Sequence, residues 1–153
     1  MNAKELVQEV VYKSCMALDE KAFDDYLALC DNAYDYKITA ISPEIGREMT
    51  WLQHDKQGMN SLFEQLPRHN SDHSPLTRHA TIYSIEYNEE KGEAEVVTAL
   101  QVFKTELDGG ATELYAVGKM YDRVTVQSGA ALLVSRNIKL DTRQLGIGHH
   151  LPF

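Results

Sequence analysis

The sequence has few cysteines, few cationic residues and no long apolar run. Its 153 residues include two cysteines, 15 Lys and Arg and 23 Asp and Glu, for a formal net charge of −8. Two cysteines are too few for a disulfide framework, and a nucleic-acid surface needs clustered Lys and Arg. No apolar run approaches the ~20 residues of a membrane span, and MNAKELVQEV lacks the apolar core of a signal peptide. We therefore expect a cytoplasmic protein that binds neither nucleic acid nor membrane.

The sequence also lacks the motifs that hold common cofactors. A Rieske iron–sulfur cluster needs two Cys and two His in paired short spacings, but neither Cys15 nor Cys30 has a histidine nearby. There is no Gly-rich phosphate loop, no GxSxG and no HExxH. The two cysteines lie in apolar helical patterns, where a cysteine usually behaves as a small buried hydrophobe.

Two groups of histidines are candidate metal ligands by residue type. His69, Asp72 and His73 have the residue types of a mononuclear iron site, but they lie in a polar loop without a rigid element to hold them. His149 and His150 are adjacent, and neighbouring side chains on extended backbone point to opposite sides. We therefore expect a solvated loop at the first group, a packing or interface role at the second, and no metal site in this chain.

Apolar periodicity predicts helices first and strands afterwards. The predicted helices cover residues 3–18, 20–30 and 55–66, and the predicted strands cover residues 34–41, 48–53, 77–87, 93–105, 113–126 and 130–141. Short polar connections between the last four strands indicate an antiparallel meander. We expect one α+β domain over residues 1–153, with a helical hairpin and a third helix packed in a strongly curved, mixed but mainly antiparallel sheet.

One titratable cluster lies in the strand predicted at residues 77–87. His79, Tyr83 and Tyr87 alternate on one face of this strand, with Arg78 on the other. If the histidine face lines the interior, His79 could act as a general acid or base oriented by a carboxylate such as Asp35. The alternative is a hydrogen-bonded structural histidine in a partly filled core.

Several stretches carry a resemblance to a known family, and their order along the chain is its specific part. They are residues 18–29 (LDEKAFDDYLAL), 76–79 (LTRH), 102–104 (VFK), 115–122 (YAVGKMYD) and 135–141 (SRNIKLD). In this order the sequence resembles the β subunits of bacterial ring-hydroxylating dioxygenases. The resemblance spans nearly the whole chain.

The resemblance implies a cone-shaped, nuclear-transport-factor-2-like fold and a role in the catabolism of aromatic compounds. It implies assembly with a large α subunit, usually three of each, in which α carries the Rieske cluster, the mononuclear iron and the substrate pocket. The β subunit would then be structural, with no catalytic, cofactor-binding or metal-binding residues of its own. We also expect self-association through the sheet and the apolar tail, residues 145–153.

A second hypothesis of another class remains open. The chain could be a free-standing enzyme of the same cone fold, similar to scytalone dehydratase or ketosteroid isomerase. It would use His79 with Asp35, and a tyrosine such as Tyr83 or Tyr115, for proton transfer on a small cyclic substrate. A shared fold does not choose between the two hypotheses.

Overall fold

A computed structural model of the chain describes residues 1–44, 46–69, 73–145 and 152–153, with the backbone alone at residues 67–69. Within them, three helices and six strands follow one another: α1 (Ala3–Asp19), α2 (Phe23–Ala28), β1 (Cys30–Ser42), β2 (Arg47–Asp55), α3 (Lys56–His69), β3 (Leu76–Asn88), β4 (Glu93–Thr105), β5 (Thr112–Gln127) and β6 (Ala130–Leu140). The strands form one open sheet in the order β2-β1-β6-β5-β4-β3. Only the β1–β6 pair is parallel among these strands. The predicted α+β class and mixed, mainly antiparallel sheet are confirmed.

Helix α1 begins where the sequence predicts. The Asn2 side chain accepts a hydrogen bond from the Glu5 backbone N–H at 2.9 Å, and its amide donates to the Glu5 carboxylate at 3.0 Å. These bonds satisfy groups that the first helical turn would otherwise leave free. Val7 and Val11 on the apolar stripe are fully buried, so α1 is fixed to the fold by the face it turns to the sheet.

Helix α2 is shorter than the prediction of residues 20–30. It has six residues and ends at Ala28, because Cys30 already pairs with Leu133 of β6. The Leu133 N–H also donates to the Leu29 carbonyl at 2.8 Å. Pairing with the sheet therefore outweighs the helical periodicity at this point, and β1 gains the residues that α2 loses.

The sheet bends around the helices at places where the strand register shifts. Irregularities lie between Ile38 and Thr39, Ile82 and Ser84, Val102 and Phe103, and Arg123 and Val124. A bulge increases local twist and bends the strand that carries it. The inner face of the sheet is thereby closed over the helices, and its outer face carries the alternate side chains of each strand.

Gly118 marks a close approach of β5 to β6. A Cβ atom at this position would lie 2.4 Å from the Lys139 carbonyl oxygen and 3.0 Å from the Leu140 Cα. Both obstacles are backbone atoms, so a side chain there could be accommodated only by separating the two strands.

Gly118→Ala is therefore expected to lower the free energy of unfolding by about 1–3 kcal/mol, the usual cost of forcing atoms into a packed site. The measurement is urea unfolding of both proteins. Gln101→Ala, an exposed change on the neighbouring strand, serves as the control and should stay within about 0.5 kcal/mol of the parent. A Gly118→Ala variant as stable as the control would contradict the close approach.

Candidate functional site

The histidine and carboxylate considered for proton transfer lie far apart. Asp35 lies on β1, where it pairs with Asp55 and Ser135, and His79 lies on β3. Strands β6, β5 and β4 separate β1 from β3. At ~4.8 Å per strand the separation is on the order of 15–20 Å, whereas orienting a catalytic histidine requires hydrogen-bond contact. The structure therefore does not bring His79 and Asp35 together.

The face of β3 that carries His79 and Tyr83 is not the face that lines the interior. His79 is exposed, and the centre of its ring lies 4.9 Å from the centre of the Phe103 ring. Tyr83 is 65% exposed. Arg78 is the buried neighbour, because its charge finds partners inside the fold. The strict alternation of this strand does not decide which of its two faces lines the interior. An arginine is ordinarily expected to face solvent, so the burial of Arg78 was not predicted.

Arg78 ties three parts of the chain together. Its Nη1 and its backbone N–H both donate to Asp19 Oδ1, at 2.8 and 3.0 Å. Its Nη2 donates to the Pro152 carbonyl at 2.8 Å. The residue therefore connects the end of α1, the edge strand β3 and residues 152–153.

Tyr115 has a structural position as well. Its hydroxyl donates to the Leu145 carbonyl, and its ring lies 6.3 Å from that of Phe153. Leu145 and Phe153 are buried, with 5% and 0% of their surface exposed. The sequence explained these apolar residues by docking to another subunit, but the chain itself covers them. Residues 146–151, which complete this tail, lie outside the described residues.

Aromatic side chains fill the interior of the fold. Tyr26, Tyr34, Tyr36 and Phe153 are fully buried. The hydroxyl groups of Tyr26 and Tyr34 share a hydrogen bond, and the Tyr36 hydroxyl accepts from the Phe153 N–H at 2.7 Å. Burial raises the pKa of all three tyrosines well above its usual range. These phenols therefore stay neutral at physiological pH and act as packing and hydrogen-bonding groups.

A buried ion pair lies beside these tyrosines. Arg136 Nε and Nη2 donate to Asp122 Oδ1 and Oδ2 at 2.8 and 3.0 Å, and both side chains are fully buried. Burial alone would lower the pKa of Arg136, but the Asp122 carboxylate raises it well above its usual value. Asp122 and Arg136 lie in two of the stretches that carry the family resemblance, but the sequence alone assigned neither residue a role. A charged residue within an apolar strand pattern was the available signal.

The two cysteines do not have the character of metal ligands. Burial is the main cause that raises the pKa of Cys15, and it raises the pKa of Cys30 to about 12. Metals bind the thiolate form, which is disfavoured at both positions. The described residues contain no group of three or more His, Cys, Asp or Glu that could hold a metal ion, so a Rieske cluster does not fit them.

The histidine groups considered as metal ligands lie mostly outside the described residues. Asp72, His149 and His150 lie outside the described residues, as does the side chain of His69, while His73 is exposed.

The described helices include none long and apolar enough to span a membrane.

Comparison with known proteins places the chain in a family. Residues 13–146 match the family of the ring hydroxylating beta subunit. The chain belongs to this family. The β subunit resembles the methanesulfonate monooxygenase hydroxylase subunit beta of Methylosulfonomonas methylovora, with 40% identity over 99% of this chain and 87% of the relative. It also resembles the 2-aminobenzenesulfonate 2,3-dioxygenase subunit beta of Alcaligenes sp., with 33% identity over 95% of this chain and 96% of the relative.

A solved structure agrees with the fold of the β subunit. Naphthalene 1,2-dioxygenase with indole bound in its active site matches with a TM-score of 0.74 and 15% identity, over 95% of this chain and 83% of the other. The predicted resemblance and the predicted nuclear-transport-factor-2-like fold are thereby confirmed.

Removing one partner of the buried ion pair is expected to be costly. Asp122→Asn leaves the Arg136 charge without compensation and should lower the free energy of unfolding by about 3–5 kcal/mol. Asp122→Leu combined with Arg136→Met replaces both charges with apolar groups, so this double variant should lower the free energy of unfolding much less. Urea unfolding of the three proteins measures the difference. Equal losses in the single and double variants would show that the charges do not compensate each other.

The cysteines of the native β subunit are expected to resist thiol reagents. Because burial raises both pKa values, neither thiol should react with Ellman's reagent at pH 8, whereas unfolding in guanidinium should release both. Tyr83→Cys, at a highly exposed position, is the control and should add one thiol that reacts at once. Rapid reaction of the parent in the absence of denaturant would contradict the buried positions.

Proposed function

We propose that this chain is the structural, non-catalytic β subunit of a terminal oxygenase in which a separate α subunit carries the Rieske cluster and the mononuclear iron. The observation that supports the proposal is the set of aromatic side chains buried between the helices and the sheet. Tyr26, Tyr34, Tyr36 and Phe153 occupy the space between helices and sheet, and the Arg136–Asp122 pair lies beside them.

The separation of the four candidate residues supports the same proposal. A proton-transfer enzyme needs its acid, base and orienting group in mutual contact. Here Asp35 and His79 lie on strands separated by three others, Tyr83 is exposed, and Tyr115 holds the Leu145 carbonyl. The free-standing enzyme hypothesis therefore lacks the geometry on which it depended.

Family membership indicates the partner. The two relatives are named as β subunits of a hydroxylase and a dioxygenase, each the component of a larger enzyme. We extend the proposal to a cytoplasmic complex of three α and three β subunits, in which residues 1–153 act as one unit. The outer face of the sheet is the surface we assign to association.

The relatives also indicate a substrate class. One is named for methanesulfonate and the other for 2-aminobenzenesulfonate, so both act with an organosulfonate. We propose that the complex containing this chain oxidises an organosulfonate. The α subunit would bind it, because the family resemblance assigns the substrate pocket to that subunit.

The decisive experiment is co-expression of the tagged β subunit with the oxygenase α subunit of the same organism. The α subunit should co-purify with its iron, and the complex should oxidise methanesulfonate or 2-aminobenzenesulfonate when supplied with reductant and oxygen. His79→Ala and Asp35→Asn complexes should keep activity within about twofold, because neither residue touches the reacting atoms.

Two results would contradict the proposal. One is failure of an iron-containing α subunit to co-purify. The other is an activity loss of about a hundredfold or more in the His79→Ala complex with assembly and iron content unchanged, since such a loss would imply a catalytic role.

A further inference from the structure

Strand β6 ends before the two strands that flank it. Its last residue, Leu140, pairs with Ala40 of β1 and with Gly118 of β5. Residues 41–42 of β1 and 112–117 of β5 extend beyond this point. Neighbouring strands lie about 4.8 Å apart, so β1 and β5 are separated by the width of one strand. A space of this width therefore continues the line of β6 between them.

The chain leaves the line of β6 soon after the strand ends. The backbone N–H groups of Asp141 and Thr142 donate to the Val117 carbonyl at 2.8 and 3.3 Å, and the Val117 N–H donates to Thr142 Oγ1 at 2.9 Å. The chain then turns toward the interior, where Leu145 is buried. Among the described residues, no strand pairs with residues 114–116 of β5 on the side of β6. This part of β5 therefore has an open edge within the sheet.

Two depressions meet at this place, one on each side of the sheet. We call the space between residues 40–42 of β1 and residues 114–117 of β5 the slot, and a cleft of about 790 Å³ lies there. A second depression, of about 410 Å³, adjoins the exposed Lys119 and Lys139. Both are lined by Ala40, Ile41, Asp141 and Arg143. The slot is therefore accessible from both sides of the sheet.

Apolar side chains line the larger of the two depressions. Met49 is 44% exposed and Leu114 is 51% exposed. Trp51 lines the same cleft, and its Nε1 is buried without a hydrogen-bond partner among the described residues. A buried indole N–H ordinarily has an acceptor, and the carbonyl groups of an extended segment in the slot would supply one. This side of the slot therefore favours apolar side chains and free backbone acceptors.

Positive charge borders the slot on the other side of the sheet. Lys119 and Lys139 lie directly opposite each other, and like charges at this spacing destabilise a sheet. Lys139 Nζ lies 5.0 Å from the centre of the Tyr121 ring, a contact that leaves its charge in place. The carboxylates of Glu48 and Asp141 line the same depression, but neither lysine forms an ion pair in the described part of the chain. An acidic group on this side would relieve the repulsion.

We propose that the slot binds an extended segment of the α subunit in which apolar and acidic side chains alternate. Successive side chains of a strand point to opposite faces of a sheet, so the apolar ones would cover Trp51 while the acidic ones would meet the lysine pair. The backbone of the segment would hydrogen-bond to β5 and β1, which is how an added strand gains affinity. The inference rests on the proposed subunit role, because it names a place where α binds.

A second copy of this chain does not meet the requirements of the slot. A strand there needs both of its edges free, because it would lie between β1 and β5. Every described strand of this chain already pairs with at least one neighbour in its own sheet. The described part of a second copy therefore offers no strand of this kind, whereas a segment of the α subunit is under no such constraint.

Hydrogen exchange tests the backbone contacts directly. The exchange of backbone amides is compared between the β subunit alone and its complex with the α subunit of the same organism. Amides of residues 41–42 and 114–116 that face the slot should exchange at least about tenfold more slowly in the complex, because strand pairing protects them.

Two substitutions in the apolar lining test the side-chain contacts. Met49→Lys combined with Leu114→Lys alters exposed positions, so the fold should persist. The amount of α retained on the tagged β subunit should fall at least about tenfold, because charge then faces the apolar side of the segment. The matched control is Met16→Lys combined with Leu107→Lys, at positions that are 59% and 68% exposed and do not line the slot. It should retain α within about twofold of the parent.

Neutralising the lysine pair tests the acidic side of the segment. Lys119→Gln combined with Lys139→Gln should lower the retention of α at least about threefold at low salt, and by less at about 0.5 M NaCl, because salt screens exposed charges. Lys4→Gln combined with Lys91→Gln removes two exposed lysines away from the slot and should retain α like the parent.

The proposal is overturned if α co-purifies with the parent but neither flanking strand gains protection, or if the slot variants retain α as well as their controls do. Protection that appears in the β subunit alone and rises with its concentration would assign the slot to a second copy, which also overturns the proposal. Failure of α to co-purify with the parent would instead contradict the subunit role itself, so the two failures are distinguishable.

Discussion

The Arg136–Asp122 ion pair constrains the rest of this structure. Close geometry and hydrogen bonds offset the cost of removing two charges from water, and here two bonds of 2.8 and 3.0 Å join adjacent strands. The pair therefore fixes the register of β5 on β6, because a slip of one residue would turn Asp122 and Arg136 to opposite faces. Arg136 Nη1 has no hydrogen-bond partner among the described residues.

The same register determines what fills the interior. The Arg136 charge acts on the phenol groups of Tyr26 and Tyr34, which lie close enough for it to oppose the burial that raises their pKa. Phe153 and Tyr36 complete this packing through hydrogen bonds of the Phe153 backbone. A fold that in other proteins can host many functions here holds a core of its own aromatic side chains.

The regular elements were predictable because their signals are local. Strand β4 lies where its alternation and flanking turns placed it, at residues 93–105, and α1 begins at its Asn2 cap. The phase of β3 was not predictable, because Arg78 and His79 alternate equally well in either direction. Its choice depends on Asp19, which lies 59 positions away in sequence. Strand alternation predicts which residues share a face. Which face is buried depends on contacts with residues that are distant in sequence.

The distance between the residues considered for proton transfer was not predictable for a related reason. Asp35 and His79 were plausible partners by residue type, but the order β1-β6-β5-β4-β3 places three strands between them. Nothing in the periodicity of β1 reveals that it pairs in parallel with β6, since the residues that decide this pairing lie about a hundred positions later. The resemblance carried the functional prediction because it rested on the order of several stretches along the whole chain. Individual residues proposed as a catalytic set could not predict the function. Whether they lie close together depends on the strand order, which the residues themselves do not specify.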